Sequence, residues 1–425
     1  MIDEFQTMLD LAYEPSHPIK CRAWEHFKGI GLPNKKMETY RYLPLRKLFE
    51  KKYEPINVSE DVLEVPTSLI LPECERSLIV LVNGYYVKKL SNTTEVSSKV
   101  DISSIQDGMK TYGSFLTNHF VKTLKEEIDP FVALNGALSY EGVFIYVPKD
   151  VVIDKPIQIL HLVTSQDKSL FLNPRIQVFA GSCSHVTLIS TDEILISNGS
   201  FINHVADFAL EENAHITYIQ SLINTPAEVF HFNATRAFLK KNSVFNVFAV
   251  SKGSVTSRTD YKATLSGENA TSSLHGLWML EGNNEFHTNI LMDHQAPFCK
   301  SRQLFKGVLD DSSKSSFEGK ILVRQGALKT DAFQLNNNLL LHEDTNAYSK
   351  PNLEIYEDDV KASHGATFGQ LNPEQLFCLR SRGISLNQAK NLLIFGFCED
   401  LIHLIQVPSL QRIFTEQAKQ YRARD

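Results

Sequence analysis

This 425-residue chain is poor in cysteine, carries no basic excess and contains no long apolar run. Its six cysteines are Cys21, Cys74, Cys183, Cys299, Cys378 and Cys398; none forms a C-x-x-C pair. Their wide spacing excludes an autonomous zinc or iron–sulfur motif, so each reads as a small, mostly buried hydrophobe in a reducing compartment. The formal net charge of −6 provides no global field for nucleic acid. No stretch approaches the ~18 uninterrupted apolar residues of a membrane span. The opening "MIDEFQTMLDLAYEP" has no basic segment followed by an apolar one, as a signal peptide would, and a cytoplasmic location is expected. There is no G-x-x-x-x-G-K-[ST] loop for ATP and no G-x-S-x-G esterase elbow.

What is present is a folded composition, 43% hydrophobic and 22% charged, in a chain long enough for two or three domains or one elongated repeat. Residues 1–115 read as a helical and mixed region. Phe5, Met8, Leu9 and Leu11 lie close to helical spacing, and a basic, aromatic run holds Lys35, Lys36, Tyr40, Arg41 and Tyr42. In an acidic chain that run reads as a solvated face or a protein contact rather than a nucleic-acid groove.

Residues 116–360 are dominated by short alternating runs: "CSHVTLIS", "NAHITYIQ", "NSVFNVFAV" and "ATSSLHGLWML". Anchored at Ser184, Ala214, Ser243 and Thr271, they recur with a drifting period near 30 residues. The run "KSSFEGKILV" restarts the pattern after what reads as an insertion, "LMDHQAPFCKSRQLFKGVLDD". Such a period predicts a solenoid of stacked β-coils, with a β-sandwich as its rival. Within "EFHTNILMDH", His287, Asp293 and His294 are a candidate metal set, against the plainer reading of a polar loop.

Residues 361–425 turn helical. Asn372 and Ser385 are placed to cap two helices, with Gln375 and Gln388 three positions on and Gly383 between them. Ala389, Leu392, Leu393, Gly396 and Phe397 are expected to share one face, and a third helix to start near Ser409. Cys378 and Cys398 are expected to pack within these helices.

The segments "KTDAFQLNNNLLL" and "KPNLEIYEDDVKASHGATFGQLNPEQLFCLRSRGIS", with "GLPNKKMETYRYLPLRKL" and "EGVFIYVPKDVVIDKPIQI" upstream, resemble the SufD branch of the SufB/SufD family of the SUF iron–sulfur cluster assembly system. The paralogous SufB typically carries an E-H-E-A run where this chain has Ser363, His364, Gly365 and Ala366, and a cysteine at the position matched here by Asn336. The resemblance implies a mainly β protein, a right-handed parallel β-helix (β-solenoid) core flanked by N-terminal and C-terminal helical regions. It implies a non-enzymatic scaffold pairing with SufB through the β-helices and docking the SufC ATPase through its C-terminal helices. It further implies that His364 meets a nascent iron–sulfur cluster shared with SufB, with Lys361, Ser363, Arg380 and Arg382 as interface candidates. An ordinary imidazole is mostly neutral near pH 7 and can replace a thiolate on cluster iron. Many SufD-like sequences read K-C-S-H here, whereas this chain has Ala362, so a local Cys–His pair is absent and His364 depends on its partner's thiolate. The resemblance also associates a reduced flavin with the complex, to which no residue here is assigned. The alternatives are a purely architectural SufB partner, a homodimer of the isolated chain, and a glycan-active β-helix enzyme, for which no convincing carboxylate pair stands in the repeats.

Overall fold

The computed structural model describes residues 2–55, 64–138, 142–164, 169–195, 199–224, 226 and 228–421. Two long sheets face each other, and from Arg175 onward the chain alternates between them. The first sheet runs through Val143–Val147, Arg175–Ala180, Phe201–Leu210, Phe230–Leu239, Thr256–Leu265, Glu285–His294 and Lys314–Val323 to Asn346–Ile355. The second runs through Ile157–Val163, His185–Ile194, His215–Leu222, Val244–Ser251, Thr271–Leu280, Lys300–Leu309 and Asp331–Leu340 to Lys361–Gly369. Successive rungs in each sheet pair in parallel. Parallel pairing between strands two apart in sequence is the signature of a solenoid and excludes the antiparallel sandwich.

The second sheet shows the repeat directly: His185, His215, Val244, Thr271, Lys300, Asp331 and Lys361 stand in one register column. The supposed insertion is therefore no insertion. It contributes the end of Glu285–His294 and the whole rung Lys300–Leu309, while "KSSFEGKILV" belongs to the opposite sheet.

Alternation of side chains divides each rung between an interior and an outer face. The interior is filled by residues such as Leu188, Ile216, Phe245, Trp278, Phe305, Ile290 and Ile321. At one corner of the solenoid Cys183, Asn213, Asn242, Asn269, Phe298 and Lys329 all adopt left-handed backbone conformations. Asparagine tolerates this region best after glycine, and Asn213, Asn242 and Asn269 also join their amides in a ladder at 3.1 and 3.0 Å. Phe298 takes the same conformation at φ 62° while leaving its ring half exposed. Phe298→Asn is accordingly expected to raise stability by about 1 kcal/mol in a urea titration.

The flanking helices cover the outer faces. In the N-terminal region Phe5, Trp24, Phe27, Leu48 and Phe49 pack with Phe171, Phe201, Phe230 and Phe232 of the first sheet's outer face. Tyr40, expected on a solvated face or at a protein contact, is instead fully buried within the chain: its hydroxyl donates to Asp129 at 2.7 Å and Arg258 lies over its ring. Tyr42 is exposed and stacks on Tyr348 at 4.5 Å.

On the second sheet, Ile219, Phe248, Leu277 and Val308 receive Ile394, Cys398, Leu401, Ile402 and Phe414. Asn372 caps Pro373–Ser381 by accepting from Glu374 and Gln375, and Ser385 forms a capping box with Gln388 at the start of Leu386–Ile402. The third helix is Pro408–Gln420; of the charged end "QAKQYRARD" expected for it, 417–420 lie in the helix and 422–425 lie outside the described residues. The buried stripe of Leu386–Ile402 is Ala389, Ile394, Cys398, Leu401 and Ile402, not the face expected from sequence; Leu392 is half exposed. The sheet fixes that choice, because a helix apolar nearly all round has no periodic preference of its own.

Candidate functional site

The solenoid ends on two strands that each pair on one side only. Asn346–Ile355 pairs with Lys314–Val323, and Lys361–Gly369 pairs with Asp331–Leu340. Among the described residues no strand or helix pairs with their other edges. Pro351 fits this position, since proline lacks a ladder donor and is confined to edge strands. Tyr348, Ile355, Tyr356 and Phe368 leave 40–65% of their surface exposed around this end. An unprotected pair of parallel edges rimmed with exposed aromatics is a template for strand pairing with another chain.

His364 stands on this last rung. It is opposite Gln334, which is opposite Gln303, and Gln334 donates to Gln303 at 2.8 Å inside the solenoid. Register and alternation thus put the imidazole on the interior face, at the top of a polar column, and exposed because no further rung covers it. Asn336, opposite Ala366, is buried and accepts from Asn338 at 2.8 Å.

Lys361 and Ser363 occupy the same strand but alternate to its other face, so neither shares a surface with His364. Gly365 sits between them and Thr367 on that outer face, where an added Cβ would come within 3.0 Å of Leu335. Arg380 and Arg382 lie beyond the strand, in and just after the helix Pro373–Ser381, and are exposed. The strand thus separates the candidates into an inward imidazole and an outward Lys–Ser pair, with the two arginines on another element. Lys361–Gly369 also lies beyond the boundary expected at residue 361, as the last solenoid rung rather than part of a helical region.

The second candidate set does not converge, and it is not a loop. His287, Asp293 and His294 are buried in the strand Glu285–His294. His294 faces inward, with Nε2 2.9 Å from Ser301 Oγ, while Asp293 faces outward and accepts two hydrogen bonds from Arg324, each 2.8 Å. His287 meets Ser316 and Glu285. Adjacent strand residues point to opposite faces, which is why the motif fails as a ligand set. Among the described residues no group of three or more His, Cys, Asp or Glu side chains is arranged to hold a metal ion.

The cysteines divide. Burial pushes the Cys74 and Cys398 thiols up to about 12 and that of Cys299 to about 11, as expected of inert packing residues. Cys183 and Cys378, also expected to pack, are exposed. Cys378 is exposed because its helix, Pro373–Ser381, contributes no buried residue; Phe377 beside it is 74% exposed. With Leu392 and Leu404, this leaves an apolar surface on the C-terminal helices.

One buried cluster escaped the sequence reading. Asp192 accepts from His231 Nε2 at 2.7 Å, with His161 Nδ1 3.7 Å from its other oxygen. Burial raises its pKa, but the hydrogen bond from His231 and the close approach of His161 outweigh that and hold the carboxyl well below its usual range. These residues come from three rungs, and no local spacing announces them.

Comparison with known proteins bears on the whole chain. Residues 161–397 match the family model described as SUF system FeS cluster assembly, SufBD core domain, and residues 12–159 match the SufBD protein N-terminal region. An iron–sulfur cluster assembly SufBD family protein of Synechocystis sp. is 30% identical over 396 residues, covering 90% of this chain and 86% of that one. The iron–sulfur cluster assembly protein SufD of Escherichia coli is 28% identical over 397 residues, covering 92% and 90%. SufD of Bacillus subtilis is 26% identical over 364 residues, covering 84% and 82%.

Proposed function

The chain belongs to the SufBD family of SUF-system iron–sulfur cluster assembly proteins, and we propose that it works there as a SufD-type scaffold which turns over no substrate itself. The observation that carries this reading is His364, an inward-facing imidazole exposed on the unpaired last rung of a solenoid. A SufB-type solenoid adding its own terminal strands to Asn346–Ile355 and Lys361–Gly369 would satisfy both open edges and cover the aromatic rim. His364 then faces the partner's thiolate across the joint and supplies a neutral nitrogen ligand to iron of the nascent cluster, which is cargo of the assembly. A nitrogen ligand leaves the iron less anionic than a second thiolate would, and a site shared between chains opens when the chains separate. Asn336 stands where SufB carries its cysteine, which supports assigning this chain the imidazole side of the pair.

The exposed helix Pro373–Ser381, with Phe377, and Leu392 on the helix after it form the surface offered to a SufC-type ATPase. Hydrolysis on that partner would move the helices, which are packed on the second sheet, and with them the joint. Among the described residues no helix is long and apolar enough to cross a membrane, and the cytoplasm is the proposed site of action.

The test is anaerobic co-expression of the three subunits with this chain as wild type or His364→Ala. The complex is expected to assemble equally in both, with iron and sulfide content lower by about tenfold or more in the variant. Equal cluster content in the two preparations rejects the ligand role and leaves an architectural partner.

A further inference from the structure

A cleft of about 290 Å³ lies on the outer face of the first sheet, between the helix Ile105–Lys125 and the rungs Arg175–Ala180, Phe201–Leu210 and Phe230–Leu239. It is half open to solvent and falls near the lower end of the size range of small-molecule sites, roughly 300 Å³ upward. Its walls are aromatic. Phe115 meets Phe179 at 4.6 Å between ring centroids, His119 stands edge-on to Phe179 at 4.9 Å, and Phe238 forms the opposite side.

The charges lining the cleft are not equally engaged. Lys240 pairs with Glu211 at 2.6 Å, and Lys262 donates to the Glu126 carbonyl at 2.9 Å. Arg236 is held by Glu127 and Asp260. Arg175 gives one nitrogen to Asn135 and another to Asp207. Its Nε is buried without a hydrogen-bond partner. Lys122 alone among these cations has no carboxylate within ion-pair distance among the described residues; its ammonium lies 4.1 Å from the centroid of the Phe238 ring. Lys122 is exposed, and an ammonium beside an aromatic wall with no carboxylate to neutralise it is free to receive an anion.

We propose that this cleft binds a small amphipathic monoanion, its aromatic or bulky apolar body between Phe115, Phe179 and Phe238 and its acidic group on Lys122. Burial lowers the pKa of His119, and the nearby Arg175 and Lys122 add to this against the pull of Asp207. The imidazole therefore meets the ligand uncharged at neutral pH, and the cleft has one net attachment point for an anion. This inference is independent of the assembly role, since the cleft lies against the N-terminal helices and not at the open end.

The test uses the full chain, titrated by fluorescence with the aromatic sulfonate 1-anilinonaphthalene-8-sulfonate and with the neutral N-phenyl-1-naphthylamine. Lys122→Glu, at an exposed helix end, is expected to weaken the sulfonate by about tenfold or more while moving the neutral probe less than about twofold. Ala209→Trp, which fills the cleft from the sheet, is expected to remove both probes with the circular dichroism spectrum unchanged. A smaller loss of the sulfonate in Lys122→Glu, an equal loss of both probes in that variant, or undiminished binding to a folded Ala209→Trp protein each overturns the proposal.

Discussion

Arg258→Leu is expected to destabilise the protein by about 3–5 kcal/mol. Arg258 is buried on the outer face of the first sheet and donates to Asp129 at 2.7 Å and to Asp260 at 2.6 Å, with the Tyr40 ring beneath it. Arg236 makes a two-pronged contact with Glu127 at 2.7 and 3.1 Å and a further one with Asp260. Asp129 in turn accepts from the amides of Phe131 and Val132 at the start of Pro130–Leu138. Two guanidinium groups thus serve three carboxylates that join the N-terminal region to the solenoid. Burial already pushes the Asp129 carboxyl up, with Arg258 and Arg236 pulling against it. Without Arg258, one arginine remains for three buried acids, and leucine fills the space without answering their charge. Urea unfolding followed by circular dichroism measures the loss; a cost below about 1 kcal/mol would mean that these carboxylates are as well solvated as surface ones.

Acid is expected to unfold the protein well above the range in which carboxylates ordinarily protonate. Burial lowers His204, His275 and His294 to about 4, against about 6.5 in an unfolded chain. Between those values the unfolded state binds more protons at these sites, so their contribution to stability is present above about pH 6.5 and is lost as pH falls towards 4. Each histidine contributes a slope of up to about 1.4 kcal/mol per pH unit. Glu193 and Glu318, pushed up by burial, act in the opposite sense and reduce the net slope. The cleaner quantity is a difference between two proteins. His275 stacks on Phe248 at 4.7 Å, and its Nδ1 is buried without a hydrogen-bond partner, so His275→Phe keeps the packing and removes the proton site. Urea titrations at several pH values between 4.5 and 7 are expected to show the variant's slope reduced by about one proton. Equal slopes would mean that His275 protonates freely in the folded protein.

The repeat was legible because its corners demand a left-handed residue. Asn213, Asn242 and Asn269 supply one just before the alternating runs that define the period. The same logic explains the rung that was missed: ahead of Lys300–Leu309 the corner residue is Phe298, which carries no turn signal, and the rung's outer face displays Lys300, Arg302 and Lys306. Lys306 is not solvated, however, because Asp400 and the Phe397 carbonyl of a C-terminal helix receive it at 2.8 Å. Contacts of that kind leave no mark in local sequence. Tyr40 was misjudged for the same reason, its partners Asp129 and Arg258 lying far along the chain. Helix caps, by contrast, are local, and Asn372 and Ser385 were readable as such. The histidine of the candidate site was found through family resemblance, since the rungs that carry it alternate like any other. Pro351 was the overlooked physical signal: a proline inside an alternating run announces that its strand lies at a sheet edge.

A partner chain closing the open end of the solenoid would bury both of its terminal strands. Amide hydrogen exchange, read by mass spectrometry on the isolated chain and on the assembled complex, tests this most directly. Peptides covering Asn346–Ile355 and Lys361–Gly369 are expected to slow by about tenfold or more on assembly, while the inner rung Thr256–Leu265 stays unchanged. Unaltered exchange in both terminal strands, in a complex that contains all its subunits, would leave the open end uncovered and move the partner interface elsewhere on the protein.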